Sequence, residues 1–482
     1  MPKSSGVIGS LLWKGGERAM VQGLGLLIQV VLARLLLPKD FASLAIINAI
    51  INYLGIFVQS GLSIAVVQKK ELSEKDLSTL TSISLLVALI LFIGLYFLAP
   101  FVSEYYSIEE LTWPIRVMGI SLFLFSFNSI QTGLLTRKMM FRSIFFRSML
   151  ATPLSGIIGI AMAYMGMGIW ALVGYYLTNI LSIVIFMNMI PELRLRLGFS
   201  WLSAKEIYGF SIKIIGTNLI SAGGDTIRTM TIGKVFSPEK LAFYDRGYSY
   251  SSLVTQVVNT SLSSVLLPVF SRQQDDIQKL RELARRSVSM SAFVMIPILV
   301  FVAVAAQPLV SFVLSEKWLP CAVFLSLFCI LRIPGIITSI DKDVYYSLGK
   351  SQIGLYYEIG LLALNLLSLT LMIPYGVWAI AIGYTVVEFL GNFILCIISS
   401  RVFGYSLWDR CKDLVKPVFN SAVMAVAAYA MTRYFERDYV LVAMQMFVSG
   451  VVYILMSWIT HDKNLFQVKN IIRNRRSGRI HG

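Results

Sequence analysis

From about residue 20 to about residue 460, this 482-residue chain returns repeatedly to apolar runs long enough to cross a bilayer, of which "SISLLVALILFIGLYFLAPFV" is one. A hydrocarbon core takes about twenty apolar residues per helix and offers the backbone no water, so each run must satisfy its own N–H and C=O groups as a helix. With 56% of residues hydrophobic and 14% charged, the expected fold class is an all-α polytopic membrane protein. Placing loops at charged and Gly/Pro clusters gives about 14 transmembrane helices. No connection between runs exceeds about twenty residues, roughly the length of a single span, so no folded extramembrane catalytic domain is expected.

The motif inventory narrows the chemistry further. The chain has no GxxxxGK[ST], no CxxC and no HExxH, which argues against nucleotide hydrolysis and metal catalysis by this chain alone. Cys321, Cys329, Cys396 and Cys411 lie in or beside apolar stretches without metal-like spacing, and are read as small buried hydrophobes. The N-terminal "MPKSSGVIGSLLWKGGERAM" has a short apolar patch interrupted at Lys14 to Arg18 and no clear small-residue cleavage site. It is read as an uncleaved interfacial or first-span segment.

Charge sets the orientation. With the N-terminus taken as cytoplasmic, the connections on that side collect 28 Lys and Arg against 5 on the other. The positive-inside rule then places both termini of this multi-pass chain in the cytoplasm. The net charge of +16 is explained by this asymmetry, and the tail "KNIIRNRRSGRIHG" reads as an anchor on anionic lipid rather than a nucleic-acid binder. No nucleic-acid partner is expected.

Two sequence echoes point to a duplication. "RLLLPKDFAS" (Arg34 to Ser43) matches "KVFSPEKLAF" (Lys234 to Phe243) at an offset of 200, and "GIWALVGYY" from Gly168 matches "GVWAIAIGY" from Gly376 at an offset of 208. The first joins spans one and two to spans seven and eight, and the second joins span six to span twelve. Six spans is an even number, so the halves share one orientation and form a parallel pseudo-repeat. The expected organisation is an N-terminal six-helix lobe (1–190), a cytoplasmic linker (191–205), a C-terminal six-helix lobe (206–400), an accessory helix pair (401–462) and a basic cytoplasmic tail (463–482). A cleft between the lobes is the expected place for a substrate.

Four of the duplicated spans carry polar stripes at helical spacing. Span one has Arg18, Gln22, Gly25 and Gln29, and span two has Asn48, Asn52, Gly55 and Gln59. Span seven has Lys213, Thr217, Ser221, Gly224 and Arg228, and span eight has Asp245, Ser249, Ser252, Gln256 and Asn259. Small-residue packing seams explain isolated Ser or Gly in membrane helices. Stripes that mix ionisable groups with Asn and Gln are better read as a wet cavity, because each charge at mid-bilayer costs about 2.5–3.5 kcal/mol. The cavity cations are expected to be Arg18, Arg116, Lys213, Arg228, Arg246 and Arg332, with Arg116, Lys213 and Arg332 lacking an obvious acid on their own helix. Its polar lining is Gln22, Gln29, Asn48, Asn52, Gln59, Thr217, Ser249, Gln256 and Asn259. Such a cavity selects anionic cargo, and Arg suits phosphate through its planar fork.

The stretch "SAGGDTIRTM" (Ser221 to Met230) concentrates the question, since it places an acid, a base and two glycines inside a span. Asp225 can offset Arg228 at i,i+3, and a local pairing of Asp341 or Asp343 with Lys342 is likewise expected. Arg34 and Lys234 are expected to snorkel at span ends. With no histidine in any span, coupled proton movement would have to use carboxylates, of which Asp225, Asp245, Glu358 and Glu388 are the candidates.

"LARLLLPKDFA", "GLSIAVVQKKELSEKDLSTL", "GIWALVGYYL" and "FSPEKLAFYDRGYSYSSLVTQVVNTSLSSVLLPVFSRQQDD" together resemble the bacterial polysaccharide (lipid-linked oligosaccharide, O-antigen-type) flippases of the multidrug/oligosaccharidyl-lipid/polysaccharide exporter superfamily. The resemblance implies translocation of undecaprenyl-pyrophosphate-linked oligosaccharide from the cytoplasmic to the periplasmic or outer leaflet by alternating access, through a cationic central cavity. It implies no enzyme activity and no cofactor, with a proton gradient, a sodium gradient or membrane potential as the candidate driving forces. The expected partners are that substrate and membrane lipids, with a polysaccharide polymerase and chain-length machinery as further candidates. Asp245 and Arg246 depart from the more neutral pair expected beside this tyrosine-rich segment. The competing readings are a cation-coupled drug or small-molecule exporter of the same fold and a membrane polymerase or glycosyltransferase. The last two would need a long external loop, whereas "SEYYSIEEL" is short.

Overall fold

A computed structural model describes the backbone of residues 4–59, 66, 72–138 and 140–467, and the side chains of these except residues 4–19, 141, 202, 206–214, 257–265, 267–268 and 351. Every regular element among the described residues is helical. The order is α1 (Ser4–Leu35), α2 (Pro38–Gln59), α3 (Glu74–Tyr106), α4 (Thr112–Gly119), α5 (Ser121–Arg137), α6 (Phe141–Tyr164), α7 (Ile169–Asn188), α8 (Trp201–Val235) and α9 (Pro238–Ser271). It continues with α10 (Ile277–Val304), α11 (Ala306–Leu314), α12 (Leu319–Ser347), α13 (Ser351–Met372), α14 (Val377–Phe403), α15 (Leu407–Ala430) and α16 (Asp438–Ile459).

Among the described residues, 11 helical segments are long and apolar enough to cross a membrane. α1, α8 and α9, the helices that carry polar stripes beside α2, are themselves 32, 35 and 34 residues long. Large apolar side chains such as Phe97 and Phe101 of α3, Ile157 of α6 and Val426 of α15 are exposed. In water that surface would drive aggregation; against hydrocarbon it is matched.

The two sequence echoes recur as matching backbone events. α1 ends at Leu35 and α2 starts at Pro38, while α8 ends at Val235 and α9 starts at Pro238, so the offset of 200 holds at both boundaries. Proline suits the first helical position because its missing N–H has no intrahelical partner there and its φ is already helical. At the first corner the Asp40 carboxylate also accepts the Leu37 N–H at 3.0 Å. The second echo is a glycine pair: Gly168 (φ 51°) immediately precedes α7 and Gly376 (φ 97°) immediately precedes α14. Both φ values lie where a side chain is strained.

The chain forms two compact units, Met1–Asp245 and Arg246–Gly482. Within the first, α6 packs on α1 and α7, α5 on α3 and α7, and α8 on α2 and α3. Ser73 starts α3 with reciprocal caps: its hydroxyl accepts the Asp76 N–H at 3.1 Å and the Asp76 carboxylate accepts the Ser73 N–H at 3.0 Å. The stretch before α8 is strapped to α3, the Gly198 N–H donating to Ser82 Oγ at 3.0 Å and the Ser200 N–H to Thr79 Oγ1 at 2.9 Å.

Within the second unit, α10 packs on α12 and α15, α14 on α12 and α13, and α16 on α11 and α15. Its core is built on Phe270, Val288, Ile340, Tyr345, Leu395 and Phe403. Asp276 caps α10, accepting the Lys279 N–H at 3.1 Å, and that backbone hydrogen bond holds its carboxyl below the usual carboxylate range. Tyr453 of α16 donates to the Phe293 carbonyl of α10 at 2.7 Å, and one turn away Asn464, just beyond α16, donates to Ser289 Oγ at 2.9 Å.

Candidate functional site

In the first unit α8 carries an ion pair. Arg228 is buried, with a side chain 6% exposed, and its Nη2 donates to Asp225 Oδ1 at 2.6 Å, whereas the Asp225 side chain is 48% exposed. The guanidinium carbon lies 5.9 Å from the Tyr244 ring centroid. Helical spacing explains the pair, since residues three apart lie on one face. The outcome is a buried cation whose acid still reaches the surface, so neutralisation is available without sealing the acid away from a ligand or ion.

The glycines of this helix differ in use. An added Cβ at Gly223 would meet nothing within 4 Å, while at Gly233 it would come within 3.1 Å of Leu241 and 3.2 Å of Ile46. Gly233 therefore lets α8 approach α2 and the start of α9 closely. Further along, the Tyr106 hydroxyl donates to the Met230 carbonyl at 3.2 Å, and the Lys234 ammonium donates to the Tyr105 carbonyl beneath the Tyr105 ring. Lys234 is thus engaged with the end of α3.

Arg116 occupies an aromatic cradle: its Nε donates to the Tyr96 carbonyl at 3.2 Å, and its guanidinium carbon lies 4.1 Å from the Tyr96 ring and 5.0 Å from the Trp113 ring. Among the described residues the guanidinium is met by aromatic faces and a carbonyl rather than by an anion. On α2, Gln59 and Asn48 are half-buried and Asn52 is exposed; on α1, Gln22 and Gln29 are half-buried, and Thr217 on α8 is exposed. Asp245 is half-buried on α9. The side chains of Arg18 and Lys213 lie outside the described residues.

In the second unit, Arg246 is buried, Ser249 half-buried and Gln256 exposed along α9. The Asn259 side chain lies outside the described residues. Arg332 sits with its guanidinium carbon 4.5 Å from the Tyr248 ring, and Tyr248 in turn touches Phe328 and Tyr384 at centroid distances of 5.4 and 6.2 Å. Glu388 is half-buried on α14.

The expected local pairing of Lys342 with Asp341 or Asp343 is corrected by the structure. Lys342 pairs with Glu358 on α13, and Asp341 pairs with Arg410 on α15. Adjacent residues on a helix point about 100° apart, so Lys342 cannot face either neighbour. Glu358, a candidate coupling carboxylate, is therefore in an ion pair.

A second charged cluster was not anticipated. Arg281 and Arg285 of α10 meet Asp409 at 2.5 and 3.2 Å, and Arg285 forks onto Asp413 at 2.9 and 3.0 Å. Tyr405 donates to Asp413 at 2.9 Å, and Arg410 stacks 4.1 Å from the Tyr405 ring. The only sequence signal was an alternation of Arg in "KLRELARR" and Asp in "WDRCKDL" at four-residue spacing, which marks one charged face on each helix but not their meeting.

Comparison with known proteins gives the fold a family. The chain is 22% identical over 388 residues to the teichuronic acid biosynthesis protein TuaB of Bacillus subtilis, covering 78% of this chain and 79% of that protein. It is 22% identical to the succinoglycan biosynthesis transport protein ExoT of Rhizobium meliloti (87% and 84% covered) and 21% identical to the lipopolysaccharide biosynthesis protein WzxC of Escherichia coli (87% and 86%). Among solved structures it is similar to the lipid II flippase MurJ in an inward closed conformation, with TM-score 0.78, 16% identity and coverage of 93% of this chain and 99% of that one. A multidrug resistance MATE family transporter in an inward-facing conformation gives TM-score 0.60, 16% identity and coverage of 84% and 98%. These structural likenesses show a shared all-helical fold. The family described as "Polysaccharide biosynthesis protein" matches residues 31–323, more than half of the chain, and the chain belongs to that family.

Proposed function

We propose that the protein is a flippase that moves undecaprenyl-pyrophosphate-linked oligosaccharide across the bacterial cytoplasmic membrane by alternating access, without enzymatic turnover. Family membership supports a role in polysaccharide biosynthesis, and the fold shared with a lipid II flippase supports a lipid-linked cargo. The single observation that carries the reading is Arg228. Its guanidinium is buried on α8 and offset by the half-exposed Asp225, and on this reading it exchanges that acid for a pyrophosphate oxygen. The Lys/Arg asymmetry supports cytoplasmic termini.

The test is the leaflet location of undecaprenyl-linked oligosaccharide, read by impermeant lectin or glycosidase access in spheroplasts with and without this chain. Accumulation on the cytoplasmic side only when the chain is absent is the expected result. An unchanged distribution in cells lacking any redundant transporter removes the oligosaccharide reading. Coupling is tested in the same preparation by collapsing the proton gradient, the sodium gradient and the membrane potential one at a time, the effective collapse identifying the driving force.

A further inference from the structure

Near its end α3 carries a proline, Pro100, inside the helix. Proline has no N–H, so the Tyr96 carbonyl one turn earlier loses its intrahelical donor, and a bilayer supplies no water to replace it. Arg116 of α4 fills the gap, its Nε donating to that carbonyl at 3.2 Å. The bond seats the guanidinium against two rings, 4.1 Å from Tyr96 and 5.0 Å from Trp113. A neutral Asn or Gln would serve the carbonyl as well without bringing a charge into the span. The charge and the Nη fork are left over: among the described residues Arg116 makes no other hydrogen bond and no ion pair.

The surroundings of Arg116 are lipid-facing and shallow. Trp113 and Ile120, on the same face of the helix three residues before and four after it, are exposed, as are Ile93 and Phe97 beside Tyr96 on α3. The span Glu109–Arg137 has 29 residues, about 43 Å of helix for a hydrocarbon core of about 30 Å, so each end overhangs by about 6 Å when the span is centred. Arg116 lies about 10 Å from the Glu109 end, within one turn of the level of lipid phosphates, a distance its own stem covers. On the water side of it the charge reverses. The stretch from Phe97 to Ile115 holds three acids, Glu104, Glu109 and Glu110, and no Lys or Arg. All three are exposed, and among the described residues none makes an ion pair. Lys234, which also reaches the end of α3, is engaged with the Tyr105 carbonyl.

A cation near phosphate depth with unpaired acids above it matches the charge order of a zwitterionic headgroup, phosphate inner and ammonium outer. We propose that Arg116, framed by Tyr96 and Trp113, holds the phosphodiester of one phosphatidylethanolamine in the leaflet at this end of α3, and that Glu104, Glu109 and Glu110 receive its ammonium. The fork takes two phosphate oxygens at once, and one guanidinium balances the single charge of a diester. A phosphatidylglycerol headgroup has no cation for the acids, and a pyrophosphate would set surplus negative charge beside them. The bound lipid is thus resident on the protein's surface and not its cargo, so the inference stands whichever cargo the protein moves.

The experiment is native mass spectrometry of the full chain released from nanodiscs containing phosphatidylethanolamine and phosphatidylglycerol in equal amounts. Wild type retains one phosphatidylethanolamine. In Pro100→Ala/Arg116→Gln the alanine returns an N–H to the Tyr96 carbonyl while the glutamine removes the charge, and retention falls about tenfold. Pro100→Ala alone keeps the lipid, which assigns the loss to the guanidinium, and Arg433→Gln, at an exposed arginine outside the site, leaves retention unchanged. Glu104→Gln/Glu109→Gln/Glu110→Gln, at exposed positions that do not endanger folding, removes the preference for phosphatidylethanolamine over phosphatidylglycerol. Equal retention by wild type and Pro100→Ala/Arg116→Gln overturns the proposal, as does an unchanged preference in the triple glutamine variant. Displacement of the phosphatidylethanolamine by added undecaprenyl diphosphate would also overturn it, by assigning the site to cargo.

Discussion

Arg410 of α15 reaches Asp341 of α12 at 2.9 Å, and both residues are withdrawn from the surface, 2% and 0% exposed. Ser399 of α14 donates to the same carboxylate at 2.8 Å. Three helices thus converge on one acid, and the accessory helix α15 is tied into the core of its unit by a charge that has no route to water. Taking away one partner of such a pair strands the other, which costs about 3–5 kcal/mol, whereas replacing both with apolar groups of similar volume is close to neutral. Arg410→Ala and Asp341→Ala should each lower the unfolding midpoint in detergent sharply, and the double variant Arg410→Met/Asp341→Leu should recover most of the loss. Additive losses in the double variant would show that the pair is not the source of the effect.

The glycines at the heads of α7 and α14 make a paired prediction about the duplication. Gly168 has φ 51° and ψ −126°, and Gly376 has φ 97° and ψ 174°, both regions nearly closed to other residues. Alanine at either should cost about 1–3 kcal/mol. At Gly168 there is an added penalty, because the new Cβ would lie 3.2 Å from Asp40 Oδ1. Thermal unfolding of Gly168→Ala and Gly376→Ala in detergent measures both. A loss well under that range at Gly376 would show that the turn can relax into an ordinary conformation.

The parts of the fold that were legible in sequence are those whose constraints are local. Pro38 and Pro238 mark helix starts because proline fixes φ and lacks a donor, and Gly168 with Gly376 mark the second echo because only glycine takes that backbone. Asp225 and Arg228 were legible as a pair because three residues of helix bring them to one face. Arg410 and Asp341 were not, since they are 69 residues apart and no periodicity reports which helix will lie beside another. Arg116 and Lys342 misled for the same reason. Arg116, with no acid on its own helix, is answered in space by the Tyr96 ring, and Lys342, flanked by Asp341 and Asp343, is answered instead by Glu358 on another helix. The polar stripes named the surfaces that need a partner, and packing alone decides who the partner is.

The Lys342–Glu358 pair separates a structural acid from a coupling acid. Both side chains are about one-fifth exposed (22% and 21%), so removing one leaves a partly solvated charge and should cost about 1–3 kcal/mol. The swap Lys342→Glu/Glu358→Lys should restore stability if the pair acts only as a tie between α12 and α13. If Glu358 also carries the coupling ion, Glu358→Gln should abolish the dependence of transport on the ion gradient, and the swap should not bring it back. Transport by the swapped protein, measured against an imposed gradient in proteoliposomes, decides between the two.

Arg228 allows the same separation for cargo binding. Asp225→Asn leaves a buried guanidinium with its counter-charge removed and should destabilise by about 1–3 kcal/mol, and Arg228→Met removes the cation while keeping much of its volume. The double variant Arg228→Met/Asp225→Asn removes both charges of this ion pair, so its membrane insertion and unfolding midpoint should return close to wild type. If Arg228 exchanges Asp225 for a pyrophosphate, transport should nevertheless stay at least about tenfold down, the effect of losing about 1.4 kcal/mol of binding, and Arg228→Lys should recover only part of it because a single ammonium lacks the two-pronged fork. Lys213→Ala should give the same loss of transport with normal insertion if its side chain shares the stripe of α8. Wild-type transport by the double variant would reduce Arg228 to a packing residue and move the cargo site off this face of α8.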